Sequence, residues 1–237
     1  MFFWNPTYFI FALPALILAF YAQWRVKSAY DKWLRVANMR GVTGLQAAKI
    51  LLNANNLGHI GIEGTEGTLT DHYDPRTKTM RLSAGVANSS SVAGMAVVAH
   101  EIGHAVQDSE AYTPLKLRTA IVPGVQIGSW LGPILFMVGW LMAAYFESPF
   151  GYQIAWLGVL FFAGALVFAF ITLPVEFNAS SRARAMLTDA GLIYTDEMNG
   201  VRSVLDAAAL TYVAAAAQAL STLLYYVFLL GGFRRRD

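Results

Sequence analysis

Two histidines and a glutamate are spaced as a pair of metal ligands and a base would be. His100 and His104 enclose Glu101 in the run His100-Glu101-Ile102-Gly103-His104. On a helix, positions i and i+4 lie one turn apart on the same face, so both imidazoles can reach one ion about 2.0–2.1 Å from each ring nitrogen. Glu101 can meet a water held by that ion and take its proton as a general base. The run therefore predicts hydrolysis at a zinc site (Zn2+).

The alternative interpretation of this run is a hydrogen-bonded structural pair inside a helical core. The residues on either side are apolar, as expected of a buried helix: Val97, Val98, Ala105 and Val106. Buried charged groups are costly unless they are paired or bound to a metal. Two histidines and a glutamate that interrupt such a face therefore favour the metal.

A third ligand is needed, because a catalytic zinc takes three protein ligands and keeps one position open. The extended motif HExxHxxGxxH would supply it nearby, but Gln107 stands where that motif has Gly, and Glu110 where it has His. Glu176 is the better candidate, since it is the first charged residue after the uncharged stretch 148–175. The alternative is that Glu176 is a solvated carboxylate in the first turn of a helix opened by Pro174, where the helix dipole favours it.

The elements that must position these residues are mostly membrane spans. Hydrophobic residues make up 56% of the 237 and charged residues 14%, whereas soluble domains carry about 25% charged residues. Four uncharged stretches are each longer than the about 20 residues that cross a bilayer, namely 1–24, 119–146, 148–175 and 207–233. This pattern excludes a soluble globule and a disordered tail. A net charge of +2 with no basic face also argues against nucleic acid as a partner.

We predict spans near residues 8–24, 121–146, 152–173 and 207–230. Between them, Thr43 and Gln46 form the pattern of a capping box that opens a helix over 44–56. We expect a β-hairpin of strands 68–72 and 78–82. Residues Asn88–Ser91 are expected to cap a helix over 92–107 that carries the His-Glu-His run. Two further helices are expected, one from Pro174 to Gly191 and one that begins near 195–197 and enters the fourth span.

Lysine and arginine indicate which side of the membrane each segment occupies. Most of the 17 basic residues lie within 25–118, and the turn 147–151 has none. The positive-inside rule then places the polar segments, and with them the metal site, in the cytoplasm. Four crossings would put the tail Arg234–Arg236 on the opposite side, against the rule, so the side of this tail stays open.

Several stretches together resemble one family. The run at 100–104, residues 69–77 (LTDHYDPRT) and residues 173–180 (LPVEFNAS) resemble the YugP-type neutral zinc metallopeptidases of bacterial membranes, and the likeness extends to residues 5–8 and 208–213. More distantly, the chain is similar to the HtpX and CAAX-prenyl-protease group, in which a Glu-x-x-Ala-Asp pattern supplies the third ligand. That similarity implies Glu176 as a ligand, with Ala179 in step. Ser180 stands where the group has Asp, so Asp206 or Asn178 is considered as the partner of a metal-bound histidine.

Three more residues are candidates for stabilising the oxyanion of a tetrahedral intermediate. His72 lies near the end of a predicted strand, where an extended peptide could pair, and Tyr212 and Arg182 could act in the same way. The alternative for His72 is a turn-capping residue beside Asp71 and Asp74.

The pattern and the resemblance predict an all-α-dominated integral membrane protein with four transmembrane helices. A small α+β zincin-like domain would carry HExxH on a helix. The expected segments are an N-terminal transmembrane anchor (1–24), a cytoplasmic zincin-like domain (25–118) and a transmembrane hairpin (119–173). A cytoplasmic helical segment with the third ligand (174–206) and a last transmembrane helix with a basic tail (207–237) follow.

The expected function is a gluzincin-like zinc endopeptidase in the bacterial inner membrane, which cleaves peptides or membrane proteins near the cytoplasmic face of the bilayer. Its oligomeric state is left open. The alternative is a non-catalytic membrane scaffold with a structural metal site, but such sites are closed by four protein ligands and only three are nominated. A metal transporter fits poorly, because transport sites place ionisable residues inside the spans.

Overall fold

The computed structural model describes residues 6–231, and most of these residues are helical. The predicted features at Asn5 and at Arg234–Arg236 lie outside the described residues. In chain order, the helices and strands are α1 (Pro6–Leu34), α2 (Gly44–Ala54), β1 (Gly61–Thr65), β2 (His72–Asp74), β3 (Thr79–Ser83), α3 (Ala84–Ala87), α4 (Val92–Ser109), α5 (Thr113–Tyr145), α6 (Pro149–Asp189) and α7 (Met198–Gly231).

Within residues 6–231, four helices are long and apolar enough to cross a membrane: α1, α5, α6 and α7. They correspond to the four predicted spans, but each continues beyond its apolar stretch; α1, for example, runs on to Leu34. Pro14, Pro123 and Pro133 lie inside these helices without ending them. Helices in a bilayer tolerate proline because neighbouring groups satisfy the freed carbonyl.

The predicted helix start at Pro174 is wrong. Helix α6 passes through Pro174 without a break and ends at Asp189. The dihedral angle that proline imposes suits a helix interior as well as its first turn, at the cost of one backbone hydrogen bond. Leu173, immediately before it, has no side-chain oxygen that could cap a new helix. The third candidate ligand therefore stands well inside a long helix.

The chain divides into two compact units. One contains residues 6–21, 117–173 and 212–231 of the described chain. Within it, α5 and α6 approach closely at small residues, since a Cβ on Gly139 would lie 2.2 Å from the backbone nitrogen of Ala155. Small residues allow helix backbones to pack tightly in a bilayer. The Phe136 ring also stacks on the Tyr226 ring, with their centroids 3.9 Å apart.

The other unit contains residues 22–116 and 174–211 and holds the larger apolar core. The capping box of α2 is confirmed: Gln46 N–H donates to Thr43 Oγ1, and Thr43 N–H donates to Gln46 Oε1. Ser91 caps α4 by accepting a hydrogen bond from the Gly94 N–H at 3.0 Å. Both caps satisfy backbone donors that a helix start leaves free. Helix α4 therefore begins where its cap predicted, at Val92.

The sheet of this unit has the strand order β1-β3-β2. Strands β2 and β3 pair antiparallel, as the predicted hairpin requires. The first strand of the hairpin, β2, nevertheless begins at His72 and not at residue 68. Leu69 has φ +58°, which is incompatible with an extended strand. Strand β1, parallel to β3, and the short α3 were not predicted. The five-segment division of the chain stays a prediction.

Candidate metal centre

Helix α4 brings His100, Glu101 and His104 to a partly exposed side of an otherwise buried helix. Val98, Ala99 and Ile102 face the core. The side chains of His100 and His104 retain 13% and 12% of their exposure. The 3.6-residue period of the helix therefore separates a packing face from a partly exposed face.

Three side chains converge at this face, within the part of the chain that the structure describes. The possible ligand atoms of His100, His104 and Glu176 all lie within 4.8 Å of one another. Glu176 Oε2 is 3.2 Å from His100 Nε2 and 3.5 Å from His104 Nε2. Two donors bound to zinc at about 2.0–2.1 Å in tetrahedral geometry are about 3.3–3.4 Å apart. The two distances from Glu176 to the histidines therefore fit a zinc ion, and the ligand atoms of the two histidines lie within 4.8 Å of each other.

Glu176 reaches this position from α6, where it is only 1% exposed. The alternative that it is a solvated carboxylate at a helix start is therefore wrong. The approach of α6 to α4 depends on Gly103, because a Cβ there would lie 2.6 Å from the carbonyl oxygen of Ala179. Since Ala179 is one helical turn from Glu176, this close contact carries the carboxylate towards the histidines.

The charges of the site call for a cation. A buried carboxylate is costly unless a positive charge compensates it, and Glu176 faces two imidazole nitrogens. Burial alone would lower the pKa of His104, but its hydrogen bond with Glu176 and the carboxylates of Glu101 and Glu176 raise it above the ordinary value. A proton or a metal ion would satisfy the same carboxylate, and this donor set suits zinc.

Glu101 is held at the edge of the sheet, beside the three possible ligands. Its Oε2 accepts a hydrogen bond from the backbone N–H of Tyr73 at 2.9 Å. Burial raises the pKa of its carboxyl, and the neighbouring histidines and the Tyr73 N–H offset part of that rise. Tyr73 in turn donates its hydroxyl to Asp108 Oδ2 at 2.7 Å. Strand β2 is thus joined to α4 at two points.

Ser180 and Gln107, to which the sequence assigned no role, are the partners of the two histidine Nδ1 atoms. His100 Nδ1 lies 3.2 Å from Ser180 Oγ, so the serine itself stands at the position considered for Asp206 or Asn178. His104 Nδ1 lies 3.0 Å from Gln107 Oε1. In the sequence, Gln107 marks only the position where the extended motif has glycine. A polar side chain three residues after a histidine on the same helix was the signal available.

The other candidates occupy different surroundings. Asp206 pairs with Arg184, with 3.6 Å between their charged atoms, and Asn178 contacts Gln107 instead of a histidine. Glu110, rejected as a third ligand, pairs with Arg182.

The three oxyanion candidates lie on three different elements, β2, α6 and α7. His72 is exposed on β2, with Nδ1 2.8 Å from the Thr70 carbonyl oxygen, and Arg182 Nε donates to Asn178. Tyr212 lies half-buried on α7. The oxyanion roles of these three residues stay predictions.

Two histidines from one helical turn and a glutamate from a second helix form a group that could hold a metal ion, and the described residues include four helices apolar enough to cross a membrane. The chain belongs to the family described as "Putative neutral zinc metallopeptidase", whose profile matches residues 8–231. It is also 44% identical to the "Putative membrane protease YugP" of Bacillus subtilis (strain 168) over 222 residues, which are 93% of this chain and 96% of that protein. No solved structure matches the chain. The resemblance and the choice of zinc are confirmed.

Proposed function

We propose that the protein is a zinc-dependent endopeptidase in which His100, His104 and Glu176 bind the metal and Glu101 is the general base. The observation that supports this assignment is the convergence of both histidine Nε2 atoms on one oxygen of a buried glutamate. Three protein ligands leave the fourth position of a tetrahedral site for water and substrate, as in catalytic zinc sites.

The chemistry of cleavage requires a base that holds a proton briefly and then returns it. When bound, zinc polarises the peptide carbonyl and lowers the pKa of a bound water to about 7. Glu101 takes a proton from the water that attacks the carbonyl carbon, and delivers it to the amide nitrogen as the C–N bond breaks. Its raised pKa suits both steps, and the Tyr73 N–H keeps the carboxylate in a defined orientation.

The proposed fold of the catalytic unit is zincin-like, with the third ligand a glutamate on a separate helix, as in gluzincins. Its support is the arrangement of α4 against strand β2, where the backbone of Tyr73 reaches Glu101. An edge strand beside the base could hold an extended peptide by main-chain pairing.

The proposed substrates are peptides or loops of membrane proteins near the cytoplasmic face of a bacterial inner membrane. Glu176 follows the apolar stretch 152–173 directly within α6, so the zinc ligand adjoins a candidate span in the chain. The basic residues of 25–118 support the cytoplasmic side. If a peptide attached to lipid vesicles and the same peptide free in solution are cleaved at equal rates, the proposal of a membrane-proximal substrate is wrong.

The variant Glu101→Gln tests the catalytic assignment, because it removes the base and leaves all three ligands. We expect zinc content equal to that of the wild type and a loss of peptidase activity of at least about 10²-fold. Glu63→Gln, an exposed glutamate on β1, is the matched control and should keep full activity. Unchanged activity in Glu101→Gln would favour the scaffold with a structural metal.

A further inference from the structure

We infer that Gln107 is a positioning residue that keeps a hydrogen on His104 Nδ1, and that Arg182 orients Gln107 through Asn178. The inference rests on the proposed function in one respect, since it takes His104 as a zinc ligand through Nε2. It assigns Arg182 to the support of a ligand and away from the oxyanion.

The direction of the hydrogen bonds follows from groups that can act in only one way. A main-chain carbonyl only accepts hydrogen bonds. Gln107 Nε2 lies 2.8 Å from the Val175 carbonyl oxygen, so this end of the amide is its NH2 group. The other end, Oε1, then faces His104 Nδ1 at 3.0 Å and can only accept. His104 Nδ1 therefore carries a hydrogen, and in the neutral imidazole this leaves the lone pair for a metal on Nε2.

Arg182 imposes the same orientation from the other side. A guanidinium only donates, and Arg182 Nε lies 2.8 Å from Asn178 Oδ1, so that atom is the acceptor end of the asparagine. The same oxygen accepts from Gln107 Nε2 at 2.9 Å. Glu110 holds the guanidinium in turn, with Arg182 Nη2 2.6 Å from Glu110 Oε2. Every contact between Glu110 and His104 thus pairs a donor with an acceptor. Arg182 donates to Glu110 and to Asn178, and Gln107 donates to Asn178 and accepts from His104.

Burial makes this orientation persist. Gln107 is 0% exposed, so water cannot replace a lost partner of its amide. Rotating the amide by half a turn would set its oxygen against the Val175 carbonyl and leave two acceptors in contact. A buried polar group that loses its partner is strongly disfavoured.

His100 lacks such a constraint. Its Nδ1 lies 3.2 Å from Ser180 Oγ, and a hydroxyl can rotate to donate or to accept. The two histidines that face Glu176 are thus supported differently: an amide fixes the hydrogen of one, and a rotatable hydroxyl accompanies the other.

The experiment is a measurement of zinc affinity on the full-length protein in detergent, by competition with a chelator, without any substrate. Gln107→Met keeps a similar shape and removes every hydrogen bond of the amide. We expect its zinc Kd to rise about 10–100-fold, the range typical for removing a partner of a metal-bound histidine. We also expect a changed visible spectrum of the Co2+-loaded protein. A zinc Kd equal to that of the wild type would overturn the inference.

A second variant, at Arg182, separates the two possible roles of this residue. Arg182→Lys keeps the positive charge but lacks the Nε donor to Asn178, so its zinc Kd should rise, by less than in Gln107→Met. A fall in kcat with an unchanged zinc Kd would assign Arg182 to the oxyanion and overturn its place in this network. If Gln107→Met does not fold, Asn178→Ala takes its place, and an unchanged zinc Kd there also contradicts the inference.

Ser91→Ala is the matched structural control. It removes the cap of α4 but touches none of the polar groups at the site, so the helix should be less stable with zinc affinity unchanged. An equal rise of Kd in Ser91→Ala and Gln107→Met would show a general loosening of α4 and overturn the inference. Failure of the proposed function is separate: a wild type that binds zinc but cleaves no peptide refutes the peptidase and leaves this measurement intact.

Discussion

The carbonyl oxygen of Ala179 occupies the space that a side chain on Gly103 would need, only 2.6 Å from the position of a Cβ. This contact joins α4 to α6. On α4 it involves Gly103, which lies between His100 and His104 in the chain, and on α6 it involves Ala179, which is three residues after Glu176. The glycine inside the His-Glu-His run is thus required by packing, which the motif alone does not show. It allows two helix backbones to approach until their side chains can share one ion.

Replacing this glycine should separate the helices. In Gly103→Ala we expect a loss of about 1–3 kcal/mol of stability, typical of overpacking, together with weaker zinc binding, because Glu176 moves with α6. Thermal unfolding and chelator competition measure the two effects. Gly64→Ala is the matched control, since a Cβ there has nothing within 4 Å and should change neither quantity. Wild-type zinc affinity in Gly103→Ala would contradict the prediction.

Glu176→Ala should abolish stoichiometric zinc. It removes the buried carboxylate and leaves two histidines, fewer ligands than a catalytic zinc site requires. Metal analysis of the purified variant beside the wild type checks the prediction, with Glu147→Ala in the loop after α5 as the control. Equal zinc content in Glu176→Ala and the wild type would require another third ligand.

Tyr73→Phe should slow catalysis without removing zinc. The variant keeps the backbone N–H that orients Glu101 but loses the hydroxyl bound to Asp108, so the edge strand is less firmly held. Burial and the hydrogen bond to Asp108 raise the pKa of the Tyr73 hydroxyl, so it remains a donor at neutral pH. We expect kcat to fall several-fold with zinc content unchanged.

Asp108→Asn should lower kcat in the same direction, because it weakens the same contact. An unchanged kcat in both variants would show that the hydroxyl has no part in positioning the base.

Removal of zinc should destabilise the unit that contains α4. A ligand that binds the folded state alone stabilises it by about 2.7 kcal/mol at a free concentration of 100 times its Kd. We therefore expect a lower Tm after chelation, restored by added zinc, in the wild type and equally in Glu101→Gln. A Tm that does not respond to zinc in either protein would argue against a site built by His100, His104 and Glu176.

The local features of this protein could be predicted from the sequence because their causes lie within a few residues. The capping box of Thr43 and Gln46, the cap of α4 at Ser91 and the pairing of His100 with His104 each depend on positions three or four apart. The four candidate spans follow from stretches without charge that are long enough to cross a bilayer. Periodicity and hydropathy are read along the chain, so no tertiary contact is needed to find them.

The rest depended on contacts between distant parts of the chain. His100 and Glu176 are 76 positions apart, and their distance follows from how α4 packs on α6. The parallel pairing of β1 with β3 is equally non-local. Because α6 continues through Pro174, Glu176 does not lie in the first turn of a helix, where a solvated carboxylate was the alternative. Gln107 stands three residues after His104 in the sequence, but the contact that orients its amide, with the Val175 carbonyl oxygen, is with a residue 68 positions away. Tertiary packing determines such side-chain partners. It brings together residues that are far apart in the chain, and their positions in the sequence do not give the distance between them in space.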